Sequence, residues 1–155
     1  MADPTLKSVG VVGIHCGRDV TIVEPCNLYG CTLGDGVFVG PFVEIQRGVV
    51  VGARTRIQSH SFICELVTIG EDCFIGHGVM FINDSFRTGG PAGGRRELWG
   101  NTTLGDRVSI GSNATILPVN ICSGAVIGAG SVVTRDIERP GVYAGNPAHL
   151  LREFA

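Results

Sequence analysis

From Leu33 to Phe81 an aliphatic or Phe side chain falls at every sixth position: Leu33, Val39, Ile45, Val51, Ile57, Ile63, Ile69, Ile75 and Phe81. A helix repeats its apolar face every 3.6 residues and a half-buried strand every 2, so neither produces this spacing. A sustained hexapeptide period indicates a parallel β-helix, in which short strands wind as a solenoid. The residue after the aliphatic is often glycine, as at Gly34, Gly40, Gly52, Gly70 and Gly76. Four positions on, it is small or β-branched: Val37, Val43, Thr55, Ser61, Val67, Cys73 and Val79. Three hexads make one triangular coil of about eighteen residues. Leu33, Val51 and Ile69 then stack on one face, Val39, Ile57 and Ile75 on the second, and Ile45, Ile63 and Phe81 on the third. Each buried aliphatic contributes roughly 1.5–3 kcal/mol. A single coil cannot bury its own apolar edge, so stability comes from stacking.

Outside this run the period changes. Counted back from Leu33 in sixes, the aliphatic positions fall on Asn27, Thr21 and His15, which predicts an imperfect first coil acting as a cap. After Ile82 the period stops, and it resumes at Leu104, Ile110 and Ile116. About seventeen residues are therefore added at one corner, in a loop spanning about 83–103 that holds Phe86, the only Trp (Trp99), Arg87, Arg95 and Arg96. A loop of that length in a compact fold is usually functional or disordered, and its aromatic and basic content favours cover over a site or reach toward a second subunit. Ile116 to Ile121 is one residue short, so the corner at Pro118-Val119 is tightened. The tail, about 140–155, is expected to cap the solenoid, with a short helix in the run from His149 to Phe154.

Composition narrows the function. A formal charge of −2 with no Lys/Arg-rich run gives no support to nucleic-acid binding. No apolar run approaches the ~20 residues of a membrane span, and Met1-Ala2-Asp3-Pro4 does not open a signal peptide. A cytoplasmic single domain is the expectation. The six cysteines form no CxxC pair and read as reduced space-fillers, not as a disulfide or metal set.

Four further stretches carry a resemblance. Gly128-Ala129-Gly130-Ser131-Val132-Val133-Thr134 and Gly145-Asn146-Pro147-Ala148 are similar to segments of the hexapeptide-repeat acyltransferases, an all-β family built as a left-handed parallel β-helix. The pair Gln58–Glu65 and Phe74–Asp84 resembles the branch that N-acylates nucleotide-linked amino sugars for surface polysaccharide biosynthesis. The resemblance implies the left hand of the coil, a homotrimer with sites in the clefts between solenoids, and acetyl-coenzyme A as donor along the later coils. Gly111, Ala129 and Gly130 would let the pantetheine arm approach the backbone, with Asn146 and Pro147 in the same region. Arg135, Arg139 and Arg152 are candidates for the coenzyme's phosphates.

Amide formation from a thioester needs a neutral amine, a stabilised oxyanion and a proton acceptor. Stacking arithmetic places Glu65 under Asn83, with Arg47 below, at the corner where the loop leaves. It places Ser59 under His77 and His60 under Gly78 at the preceding corner, so two polar columns are expected to converge there. Asn83 is the first candidate, orienting the amine or the thioester carbonyl. Asp84 would hold the incoming ammonium, and His60 and His77 are candidate general bases, although in relatives of this branch the departing sulfur can take the proton instead. Gln58, Phe62, Glu65 and Arg87 are candidate substrate contacts. No metal is expected. Sugar O-acetylation is the alternative activity; a metal enzyme of the carbonic-anhydrase type would need a third His in the central coils, and none is there.

Overall fold

The computed structural model describes residues 4–5 and 8–154, and in them the six-residue period becomes a three-faced solenoid of parallel strands. Face 1 carries Val11–Val12, Asn27–Tyr29, Glu44–Ile45, Phe62–Ile63, Met80–Phe81, Thr115–Ile116 and Val132–Val133. Face 2 carries His15–Cys16, Thr32–Leu33, Val50–Val51, Val67–Ile69, Thr102–Leu104 and Asn120–Ile121. Face 3 begins with Thr21–Ile22 and Phe38–Val39, then Arg56–Ile57, Phe74–Ile75, Ser109–Ile110 and Val126–Ile127. It ends in the longer strands Gly141–Gly145 and Ala148–Glu153. The chain visits the faces in this order and turns at three edges, 1–2, 2–3 and 3–1.

The hexad explains each short strand. Its aliphatic points inward, and the third residue after it turns the corner with left-handed backbone: Gly36, Phe42, Gly48, Arg54, His60, Leu66, Asp72 and Gly78 in succession, φ from 55 to 77°. Leu33 lies opposite Val51 and Val51 opposite Ile69; Val39, Ile57 and Ile75 repeat this on face 3, and Ile45 faces Ile63 on face 1. All nine aliphatic positions are at most 1% exposed. Two of the buried hydroxyls, Thr55 and Ser61, are bonded both ways: Thr55 Oγ1 donates to Gly70 O (2.9 Å) and accepts from Cys73 N (2.9 Å). Ser61 Oγ does the same with Gly76 O (2.8 Å) and Val79 N (3.2 Å). A polar core group therefore carries little burial penalty.

Every departure from six residues falls on one edge. Between inward residues, edges 2–3 and 3–1 keep a spacing of six throughout, as in Leu33 to Val39 and Val39 to Ile45. Edge 1–2 takes five residues from Leu28 to Leu33 and six from Ile45 to Val51. It takes twenty-three from Phe81 to Leu104, five from Ile116 to Ile121 and four from Val133 to Ile137. The added seventeen residues and the tightened corner at Pro118 thus sit where the period placed them. The first coil is a correction. The residues in register with Leu33, Val39 and Ile45 are Cys16, Ile22 and Leu28, not His15, Thr21 and Asn27. The turn at Gly30-Cys31 is one residue short, so counting back in sixes slips by one.

The expected C-terminal helix does not form. Gly141–Gly145 pairs in parallel with Val126–Ile127, and after Asn146-Pro147 the strand Ala148–Glu153 returns antiparallel. Six residues make a poor helix on their own, whereas the edge of face 3 offers a row of unpaired backbone groups. Strand pairing wins.

The cysteines are all free: Cys31, Cys64 and Cys73 are packed in the core, while Cys16 is exposed. Burial pushes the Cys31 thiol up to about 11 and that of Cys64 to about 12, so neither is a thiolate nucleophile at neutral pH. Two outcomes follow. Ile57→Ala, at the centre of the face 3 stack, lowers unfolding free energy by about 2–5 kcal/mol in urea titration. A thiol reagent at neutral pH labels Cys16 in the folded protein and reaches Cys31, Cys64 and Cys73 only after unfolding, as counted by mass spectrometry.

Candidate active site

Two groups of polar residues flank face 1. On edge 3–1 the expected stack is present: Ser59 Oγ lies 2.9 Å from His77 Nδ1, which fixes the exposed ring and leaves Nε2 bonded to nothing among the described residues. The His77 backbone N–H donates to Ser112 Oγ (3.2 Å) in the next coil. One coil further the matching residue is Ala129, which has no hydroxyl, and the N–H groups of Ser112 and Ala129 find no acceptor among the described residues. Gly111 is small because Ala129 of the next coil packs onto it; Gly130, at φ +68°, has open space around it. The column ends at the hairpin tip, where Gly145 N donates to Ser131 Oγ (3.2 Å) and the exposed Asn146 and Pro147 follow. Gly111, Ala129, Gly130, Asn146 and Pro147 are therefore one continuous surface above His77. Arg135 stands apart, on edge 1–2. Arg152 lies on the outer hairpin strand with its guanidinium 5.6 Å from the Phe154 ring, and Arg139 meets Glu153 at 3.5 Å.

His60 occupies a left-handed corner one coil below, with its ring 4.8 Å from that of Phe42. The aromatic stack accounts for it, and among the described residues no hydrogen bond orients its nitrogens, so of the two histidines His77 has the geometry of a held base. Gln58 is half-buried on the same edge. Below Phe42 a cavity of about 350 Å³ is lined by Val9, Pro25, Cys26, Asn27, Val43 and Glu44.

On edge 1–2, Asn83 Nδ2 donates to Glu65 O (3.2 Å) and the Glu65 backbone N–H donates to Gln46 Oε1 (3.2 Å). Gln46 Nε2 continues to Glu44 Oε1 (3.0 Å), and Asn27 Nδ2 reaches Glu44 Oε2 (3.1 Å). The expected third member, Arg47, is exposed and stays outside; Gln46, one residue off the eighteen-residue spacing, takes its place by reaching diagonally. Burial, with the Glu44 and Glu65 carboxylates nearby, raises the Tyr29 phenol.

The inserted loop is braced mostly on itself. Asp84 Oδ1 accepts from Phe86 N (3.0 Å) and Oδ2 from Ala92 N (2.6 Å). Arg87 Nη2 donates to Leu98 O (3.2 Å), Arg95 Nε to Ala92 O (3.1 Å), and Gly100 N to Asn83 O (2.8 Å). Asp84 and Arg87, candidates for substrate contact, are thus engaged in shaping the loop. Arg96 crosses to the solenoid, its Nη2 2.7 Å from Glu65 Oε2.

The two edges do not converge within one chain. His77 and Asn83 are separated by six residues across face 1, a span of up to about 20 Å for extended backbone, with Phe62 and Met80 side by side between them. Sequence spacing finds the stacked pairs but not Gln46, Ser112 or the role of Arg96, since a diagonal reach, a backbone donor and a loop tie leave no periodic trace. Among the described residues no helix is long and apolar enough to cross a membrane, and no three His, Cys, Asp or Glu side chains gather as a metal site. Asp84→Ala leaves the unfolding of the solenoid nearly unchanged while amide exchange accelerates at Phe86 and Ala92, measured by hydrogen exchange.

A family model described as the hexapeptide repeat of succinyl-transferase matches residues 66–81 and 101–135, and one for the bacterial transferase hexapeptide matches residues 30–65. The bifunctional protein GlmU of Xanthomonas campestris is 38% identical over 99% of the chain, which spans 33% of that relative's length. A hexapeptide-repeat acetyltransferase from Vibrio cholerae, solved with acetyl-coenzyme A, matches with a TM-score of 0.70 and 27% identity over 81% of this chain and 72% of that one. A perosamine N-acetyltransferase from Caulobacter crescentus, in complex with coenzyme A and GDP-perosamine, shares the fold at a TM-score of 0.56 and 20% identity over 90% of this chain and 56% of that one.

Proposed function

The chain belongs to the hexapeptide-repeat transferase family, and from its edge geometry we propose that it transfers the acetyl group of acetyl-coenzyme A to the amine of a nucleotide-linked amino sugar. The observation that carries this reading is the column above His77. The unmet N–H donors of Ser112 and Ala129, beside the open Gly130, offer a pantetheine arm the hydrogen bonds that neighbouring coils supply to each other with side chains. Laid along that column with its phosphates toward the hairpin tip, the donor brings its thioester to His77.

The thioester supplies an electrophilic carbonyl with a good leaving group. The acceptor nitrogen adds to that carbon, the C–S bond breaks, and the amine proton passes to His77 Nε2 or to the departing sulfur. His77 is held by Ser59 for the first of these roles. Asn83, its Nδ2 on Glu65 O, and the half-buried Glu65 carboxylate suit the acceptor amine. Because edges 3–1 and 1–2 lie on opposite sides of face 1, a complete site takes edge 3–1 of one subunit and edge 1–2 of the next, as a homotrimer provides. Phe62, half-buried between them, and Gln58 would line the cleft.

The test is thiol release from acetyl-coenzyme A with a panel of nucleoside-diphosphate 3-amino and 4-amino sugars and their hydroxyl counterparts. An amino sugar is acylated, and His77→Ala lowers its kcat about 10²- to 10⁴-fold. Asn83→Ala lowers kcat/KM at least about tenfold. Turnover of hydroxyl acceptors alone overturns the N-acyl assignment; a monomer by sedimentation overturns the shared site.

A further inference from the structure

Glu65 is an unusual carboxylate. Its side chain is 16% exposed, its Oε2 is buried, and that oxygen receives no aligned hydrogen bond. Arg96 Nη2 comes within 2.7 Å but off the hydrogen-bonding line, so the pair is held by charge rather than by a directed bond. A buried acceptor left in that condition keeps much of its desolvation cost and favours any donor that meets it squarely. Arg96 is itself about half exposed and sits on the face of Trp99, 6.0 Å from the ring centroid. The other loop cations are committed inward: Arg87 to Leu98 O and Arg95 to Ala92 O. Asp84 has both oxygens on loop amides, which ties its carboxylate into the loop. The loop is thus a braced unit whose charged tie to the solenoid, among the described residues, is a single weakly directed one.

We propose that Arg96 is a displaceable guanidinium that occupies the amine subsite at Glu65 in the free protein, and that an acceptor amine enters by exchanging with it. The inference rests on the amine-acceptor reading above and adds to it the origin of selectivity. The acceptor in its ammonium form replaces one cationic donor at Glu65 with another and leaves the carboxylate paired, before it gives up a proton to become the attacking amine. A hydroxyl brings no charge to offset the lost guanidinium, so Arg96 competes well against it. Arg96 is a specificity-determining residue: it raises the KM of every acceptor and penalises neutral ones most.

The single Trp reports the exchange directly, because displacing Arg96 removes a cation from the Trp99 face. Using the amino-sugar nucleotide turned over fastest in the panel, the expected result is a saturable change in Trp99 emission on binding, weak or absent with its hydroxyl counterpart and lost in Arg96→Ala. In the same variant KM for the amine acceptor falls about 3- to 10-fold with kcat nearly unchanged, and discrimination against the hydroxyl analogue narrows. Arg96→Lys, which keeps the charge and loses the fork, lies between. Unchanged or increased KM in both variants, with wild-type melting temperature and coenzyme A affinity, overturns the inference. So does amine turnover with silent Trp99 emission. If no amine in the panel is turned over, the amine reading itself fails and the exchange falls with it; turnover with failed exchange sinks the exchange alone.

Discussion

Backbone hydrogen bonding from coil to coil is the constraint on which everything else depends. Each two-residue strand, and many of the N–H groups at the corners, are satisfied by the coil above or below, as in Gly34 N to Val51 O and Gly52 N to Ile69 O, both 2.8 Å. Such a ladder holds only if successive coils stay in register, and register holds only if inward side chains meet inward side chains. The aliphatic at every sixth position is the side-chain half of that condition. Glycine after it is the backbone half: a Cβ on Gly52 would stand 2.5 Å from the Gly70 carbonyl carbon, so the coils could not close to strand spacing.

The same constraint explains why the polar residues of the site are so sparsely anchored. A corner is a few residues long and faces solvent, so its side chains draw their partners chiefly from their counterparts one coil away. Ser59 with His77 and Gln46 with Glu65 are such pairs. Where the next coil withholds a partner, as Ala129 does from Ser112, a donor is left for something outside the chain. The candidate site is a place where the solenoid's mutual satisfaction is interrupted.

Much of this was legible in the sequence because the solenoid is nearly one-dimensional. Period six gave the three stacks, the period's interruption gave the length of the insertion, and eighteen-residue spacing paired Ser59 with His77 and Glu65 with Asn83. What failed did so for identifiable reasons. One missing residue at Gly30-Cys31 shifts the phase of everything before it, and the aliphatic character of Ile22 and Leu28 is the trace of that shift. The run from His149 to Phe154 has no intrinsic conflict with a helix; the open edge of face 3 decides its fate, and an edge is a tertiary fact. Inside the loop no period exists, so the commitments of Asp84, Arg87 and Arg96 emerge only from coordinates.

The confinement of all length variation to edge 1–2 has a consequence for how such a protein can change. Two of its seams are locked at six residues, while the third accepts four, five, six or twenty-three without disturbing the stacks on either side. New segments can be spliced into that seam while the other two go on holding the coil, so one interchangeable strip of surface can change its shape and side chains as the column on the opposite edge of face 1 stays as it was.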